Sequence, residues 1–204
     1  LLGLVRFYKG ELDAAYDWFR KGCWDQSQFE ACSYFAAVIK SHLGDDKAAL
    51  SHVDDALAVN PHNMRARGLK ASLLRILGLE AELESCLKES LSLDPFDPHG
   101  KYELSLQTGD ADAGPRENDA CLEAARRYVE YGMYETAAAL LENAETPLSL
   151  YYAGYCRKKL GDGEGALACF EKAEKTDSSY CFPNTIMDRL VLEDCLADLP
   201  LAPM

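Results

Sequence analysis

The side chains best suited to nucleophilic, acid–base or metal chemistry here are four histidines and eight cysteines, and their spacing decides whether any could act together. His42, His52, His62 and His99 form no H-E-x-x-H motif and no pair one helical turn apart, the arrangement that holds zinc on one helix face. Cys23, Cys32, Cys86, Cys121, Cys156, Cys169, Cys181 and Cys195 contain no C-x-x-C pair. Neither a zinc site nor a disulfide framework is indicated, and the cysteines read as small buried hydrophobes. The sequence has no glycine-rich phosphate loop and no G-x-S-x-G nucleophile elbow. The histidines therefore read as surface residues, and the expectation is a non-enzyme with no catalytic residue, no metal and no cofactor.

Recognition chemistry is better represented. Tyr8, Tyr16, Trp18 and Trp24 cluster near the start of the sequence and read as core packing. The formal charge of −13, from 34 acidic against 21 basic side chains, would repel a phosphate backbone, because binding one depends on Lys and Arg displacing counterions. Nucleic acid is excluded as a partner on that ground. Hydrophobic residues at 48% and charged residues at 27% are ordinary globular values. No apolar run approaches the roughly 20 residues that cross a bilayer, so no membrane is expected. Eight thiols without a disulfide pattern suit a reducing compartment, and the expected location is cytoplasmic. No signal peptide is visible, although Leu1 is not an initiator and the first residues already read as mid-helix.

What would position these residues is a repeat. Gly10, Gly44 and Gly78 recur at intervals of 34 residues, and Pro61 and Pro95 share that interval. With Gly132 and Gly161 as further anchors, the residue seven before each glycine is Gly3, Ala37, Ala71, Ala125 or Gly154. Five after come Ala15, Ala49, Leu83, Ala137 and Ala166; nine after come Phe19, Val53, Leu87, Leu141 and Phe170; twelve after come Gly22, Ala56, Ser90, Ala144 and Ala173. Small residues at three offsets, with Leu83 the one exception, and a large apolar one at the fourth describe a helical hairpin. Glycine ends the first helix in the left-handed conformation. The small positions let the helices approach to about 8–10 Å, and proline stops the second helix.

The period breaks between Gly78 and Gly132, 54 residues apart. Pro98 to Gln107 reads as a lone helix, followed by a surface loop over Thr108 to Pro115. Gly132 and Gly161 are 29 apart, five short of a period, which predicts a tight turn at Glu145, Thr146 and Pro147. After Tyr180 to Asn184 a last helix carries Ile186, Met187, Leu190, Val191, Cys195 and Leu196 at helical spacing, and Leu199–Pro200 reads as another boundary. The whole of 1–204 is expected as one repeat domain. Its pairs fall at about 1–25, 26–60, 61–94, 117–145 and 147–176, with the lone helix and loop at 98–116 and the final helix at 184–197. Neither end has the polar face of a capping repeat, which suggests a piece of a longer protein or ends that pair with something.

These offsets resemble the tetratricopeptide repeat (TPR) family, most closely over Gly44-Asp45-Asp46-Lys47-Ala48-Ala49 and Gly161-Asp162-Gly163-Glu164-Gly165-Ala166. The usual early Trp of the first helix is absent, and the last anchored repeat lacks its proline. The resemblance implies an all-α, right-handed α-solenoid of antiparallel helix pairs, about five repeats plus the lone and C-terminal helices. It also implies that the first helices line a concave groove, contacting ligand from positions thirteen, ten, nine, six, three and two before the glycine. Those positions are Tyr34, Phe35, Val38 and His42 before Gly44, and Arg65, Leu69, Ser72 and Arg75 before Gly78. They are Asp119, Leu122, Glu123, Arg126, Val129 and Glu130 before Gly132, and Leu148, Tyr151, Tyr152, Tyr155, Lys158 and Lys159 before Gly161. The Lys, Asn and Arg of the family's carboxylate clamp are mostly replaced by Tyr, Phe, Val and Leu, which rejects a chaperone-tail ligand.

The function so implied is a protein-interaction scaffold whose partner is another protein or a peptide, binding in the groove as an extended or helical segment with apolar anchors and acidic groups. Tyr34, Phe35, Val38, Leu69, Tyr151, Tyr152 and Tyr155 would anchor it, and Arg65, Arg75, Arg126 and Lys158 would orient it. Two alternatives stand beside this. One is a helical accessory region of a larger bacterial carbohydrate-active enzyme, to which the segment from Tyr180 onward shows a short similarity; the other is self-association through the uncapped ends.

Overall fold

The computed structural model describes residues 1–179 and 181–197. Among these the chain is all-α, with twelve α-helices, one short 3-10 turn and no strand. The chain divides into two compact units, Leu1–Pro115 and Arg116–Met204. The first holds α1 (Leu2–Tyr8), α2 (Leu12–Gly22), α3 (Phe29–His42), α4 (Asp46–Val59), α5 (Met64–Ile76), α6 (Glu80–Leu93) and α7 (Pro98–Thr108). The second holds α8 (Asn118–Glu130), α9 (Tyr134–Leu140), α10 (Pro147–Lys159), α11 (Gly163–Lys175) and α12 (Ile186–Leu196). Five antiparallel pairs are present, α1–α2, α3–α4, α5–α6, α8–α9 and α10–α11.

Local chemistry sets the helix ends. All five anchor glycines have positive φ, as does Gly109, at +72° after α7; a residue with Cβ pays a steric cost there. The second helix then starts within a few residues, and in two of the five pairs it is capped by the aspartate that follows the glycine. Asp45 accepts from the Ala48 amide at 3.3 Å and Asp162 from the Gly165 amide at 2.9 Å. Between pairs the chain turns on an Asx motif, in which a side-chain oxygen accepts from the amide two residues on. Asp25, Asn60, Asp94 and Asp177 each do this, to Ser27, His62, Phe96 and Ser179. After two of these turns the next helix is capped by Asn63 or Asp97, each accepting from the amide three residues on.

Within a pair, the residue seven before the glycine meets the residue nine after it, and their sizes trade off. Where the later residue is Phe, the earlier one is Gly. A Cβ on Gly3 would lie 3.0 Å from the Phe19 ring, and one on Gly154 would overlap the Phe170 ring. Where the later residue is Val53, Leu87 or Leu141, the earlier one is Ala37, Ala71 or Ala125, and every member of these three pairs is buried. This complementarity lets two helices share one close-packed interior.

Several expectations change. The five residues missing between Gly132 and Gly161 come out of the second helix, not out of the turn: α9 has 7 residues where α4 and α6 have 14. The loop after α7 contains a 3-10 turn, Ala111–Ala113. Trp24 is 93% exposed and Trp18 42% exposed, so the N-terminal aromatics are not a core cluster. Tyr16 sits instead on the partly buried His52, at 3.0 Å from its Nε2. The final helix keeps Val191 and Cys195 buried and leaves Ile186 and Leu196 exposed. Tyr180 and the expected Leu199–Pro200 boundary lie outside the described residues.

Overpacking a filled interior costs about 1–3 kcal/mol. Gly154→Ala should therefore destabilise the second unit by about 2 kcal/mol in urea unfolding. Combining it with Phe170→Leu should cost less than the two changes summed, since the smaller side chain vacates the space the new methyl needs. Strict additivity in that cycle would show that the two positions do not share a contact.

Candidate functional site

In the second unit α10 packs against both α8 and α12. Asp188 of α12 is fully buried between them. A buried carboxylate is tolerated only when its oxygens are filled, and these are. Arg126 of α8 donates to Oδ1 through Nε at 2.9 Å and to Oδ2 through Nη2 at 3.0 Å. The Tyr152 hydroxyl of α10 donates to Oδ1 at 2.7 Å, and the amides of Asn184 and Thr185 donate to Oδ2 at 3.0 Å each. Thr185 and Asp188 also form a reciprocal capping box. Burial pushes the Asp188 carboxyl upward, but the hydrogen bonds from Asn184, Tyr152, Arg126 and Thr185 outweigh it, and the net direction is below the usual carboxylate value. The Tyr152 hydroxyl is displaced upward by its burial and by the bond to Asp188.

Beside this network lies a cleft of about 480 Å³. Leu122, Pro147 and Leu148, all buried, form its apolar part. Asp119, Glu123, Glu145 and Asp177 supply four carboxylates to its wall, and Phe182, 74% exposed, stands at its edge. Arg126 lines it too, with its guanidinium engaged by Asp188.

The first unit contains a parallel network. Glu103 of α7 is fully buried and accepts from Ser72 Oγ at 2.6 Å and from Arg75 Nε at 2.7 Å. His99, also fully buried, lies 3.0 Å from Ser72 Oγ and 3.2 Å from the Gly68 carbonyl. Gly68 leaves room for that ring, since a Cβ there would come 2.9 Å from it. Burial raises the Glu103 carboxyl, but Arg75, His99 and Ser72 together hold it below its ordinary value.

The residues expected in a groove are placed as follows. Val38, Leu69 and Tyr152 have no exposed surface and Tyr34 almost none, so their side chains pack inside the units. Phe35 stacks on Phe19 at 5.0 Å, Tyr151 on Phe170 at 6.1 Å, and Tyr155 meets Tyr134 edge-on at 6.1 Å. The exposed Arg65 lies over the Tyr34 ring at 5.4 Å. Arg75 and Arg126 hold Glu103 and Asp188, and Lys158 bonds the Asp194 carbonyl at 3.1 Å and its carboxylate at 3.3 Å. Of the wider set of offsets, Asp119, Leu122, Glu123, Arg126 and Leu148 line the cleft.

Sequence reasoning missed Asp188, Glu103, His99 and Phe182. The pattern Thr185-Ile186-Met187-Asp188 was readable as a capping box, but its link to Arg126 spans 62 residues. His99 corrects the surface reading of the histidines, and of the other three only His62 is exposed. Cys86, Cys156 and Cys195 are buried, while the other five cysteines are half-buried. Burial pushes the Cys156 thiol up to about 12 and raises Cys86, so both are neutral thiols at neutral pH. Among the described residues no group of three or more His, Cys, Asp or Glu side chains could hold a metal ion. No described helix is long and apolar enough to cross a membrane.

No family model matches the chain, and no curated protein matches it. Solved structures do. A tetratricopeptide repeat protein from Parabacteroides merdae is 19% identical, with a TM-score of 0.53 over 94% of this chain and 80% of its own. The crystal structure of MamA is 15% identical, with a TM-score of 0.51 over 86% of this chain and 94% of its own. The chain has the tetratricopeptide-repeat fold. In TPR terms α1, α3, α5, α8 and α10 are first helices, each followed by its second. α7 packs on α5, and α12 on α10, as α5 packs on α3.

Removing one partner of a buried ion pair costs about 3–5 kcal/mol. Asp188→Asn should lower stability by about that amount at pH 7, read by urea unfolding. Because the folded Asp188 carboxyl titrates below its unfolded value, its contribution is complete above about pH 4 and fades as the pH falls through the folded value. The gap between wild type and variant should therefore close in strong acid. A gap that is absent at pH 7, or unchanged across the acid range, would contradict this account.

Proposed function

We propose that this TPR chain is a protein-interaction scaffold, not a catalyst, and that it takes an extended segment of a partner protein in the cleft of the second unit. One observation carries the reading: the cleft lies on Asp119, Leu122, Glu123, Arg126 and Leu148, positions from which first helices are expected to meet a ligand. Its size falls within the range of about 300–1,000 Å³ typical of ligand sites.

The chemistry differs from the acidic ligand expected at first. Arg126 is neutralised by Asp188, so the four wall carboxylates are not offset by a cation of the cleft. The complementary segment carries Lys or Arg beside one apolar side chain. The basic residues would face Asp119, Glu123, Glu145 and Asp177, and the apolar one would rest against Leu122, Leu148 and Phe182. The chain's charge of −13 adds long-range attraction for such a partner and opposes nucleic acid. All eight cysteines are free thiols, the form that a reducing compartment such as the cytoplasm maintains.

A displayed random-peptide library selected on the full chain should enrich sequences with Lys or Arg next to Leu or Phe. The double variant Asp119→Lys/Glu123→Lys should bind the enriched peptides at least about tenfold more weakly, equivalent to about 1.4 kcal/mol, and added salt should weaken the wild-type complex. Enrichment of acidic peptides, or equal affinity for the double variant, would remove this reading.

A further inference from the structure

Two cysteines that no sequence motif pairs meet at the junction of the first and second helix pairs. Cys23 caps the end of α2, and Cys32 lies in the first turn of α3. Gly22, at the small position twelve after its anchor glycine, leaves the space that Cys32 fills: a Cβ on Gly22 would come 2.5 Å from Cys32 Sγ. From the next residue along, Cys23 Sγ reaches to 3.7 Å from Ser33 Oγ, beside Cys32 in sequence. The turn between them is held by its own backbone, with Asp25 donating to the Gly22 carbonyl at 3.1 Å and Gln28 to the Asp25 carbonyl at 3.0 Å. Cys32 then donates to the Gln28 carbonyl at 2.9 Å. The two thiols therefore face each other across a structured turn of the first unit.

Both are half-buried, within reach of a small solute. The other cysteines differ in one respect or the other. Cys156 and Cys195 feel each other's charge, but neither has exposed surface. Cys86, Cys121 and Cys169 are shifted by burial and by charged groups, with no second thiol acting on them.

We propose that Cys23 and Cys32 form a reversible disulfide on exposure to hydrogen peroxide, tying the end of α2 to the start of α3 and locking the turn that carries Trp24. Burial raises the Cys32 thiol above its ordinary value, and the charge and hydrogen bond of Cys23 add to the rise. Cys32 thus stays protonated, and Cys23 is the sulfur that meets the oxidant. Its thiolate attacks one peroxide oxygen; the O–O bond breaks, the sulfur becomes a sulfenic acid, and the departing hydroxide takes a proton to leave as water. Cys32 sulfur then gives up its proton and attacks the sulfenic sulfur. The S–O bond breaks, the S–S bond forms, and a second water leaves. Two thiols and one peroxide become one disulfide and two waters, and a reducing dithiol reverses the change. Free thiols remain the resting state in a reducing compartment. This site is separate from the cleft of the second unit and stands or falls without it.

The test uses the full chain, treated with hydrogen peroxide in the presence of dimedone, alkylated with iodoacetamide and cut with trypsin. Cleavage after Lys21 and Lys40 leaves both cysteines on one peptide, 22–40, which contains no other. After oxidation that peptide should be lighter by two hydrogens and carry neither alkyl group nor dimedone; dithiothreitol before alkylation should restore both alkyl groups. Cys32→Ser should trap dimedone on Cys23, since no thiol is left to resolve the sulfenic acid. Trp24, beside the new bond, should lose fluorescence on oxidation and regain it with dithiothreitol, and Cys23→Ser should abolish that response. A wild-type peptide 22–40 that keeps both alkyl groups, or takes dimedone without losing two hydrogens, would overturn the proposal. So would emission indifferent to the oxidation, because the bond would then leave the turn as it was.

Discussion

Two helices can approach closely only where one of them gives up side-chain volume to the other. In this chain that exchange recurs at one place in every pair, between the residue seven before the glycine and the residue nine after it. Phe19 and Phe170 face glycine, while Val53, Leu87 and Leu141 face alanine. The summed volume, more than either residue, is what the fold holds constant. Pair geometry, and with it the faces left over for neighbouring pairs and ligands, depends on that balance.

A second constraint acts at the last helix of each unit. α7 and α12 pack as first helices, and among the described residues no second helix follows either within its unit. Both carry one fully buried carboxylate, Glu103 or Asp188, held by an arginine of an earlier helix. A buried acid with every oxygen filled has few acceptable positions, because any slippage would strand a charge in an apolar interior. These networks fix the register of the last helix. They also consume the cations that would otherwise make the surfaces attractive to acidic ligands, and the cleft of the second unit is left acidic as a result.

Helix boundaries and pairing were legible because they follow from nearby residues. The glycine at positive φ and the residue offsets around it lie within one period, and the structure follows them through five pairs; in two of these the aspartate directly after the glycine adds a cap. The shortened α9 shows the limit of that reading: the missing five residues were visible, but a helix and a turn compete for the same segment, and packing chose to shorten the helix. Gly109 falls in the segment expected as a surface loop, and it ends α7 at positive φ as the anchor glycines end theirs. Trp24 and Trp18 are exposed where core packing is expected, because side-chain type states a preference for burial, not whether a neighbour arrives to supply it.

The candidate sites divide along the same line. Offsets carried over from the repeat named the backbone positions around the second-unit cleft, since those depend on helix phase. They did not reveal what each side chain does there, because Arg126 meets Asp188 across 62 residues and Arg75 meets Glu103 across 28. Periodicity, turns and caps are short-range and were written in the chain. The availability of a charge depends on which distant group comes within hydrogen-bonding distance, and that emerged with the packing of helices far apart in sequence.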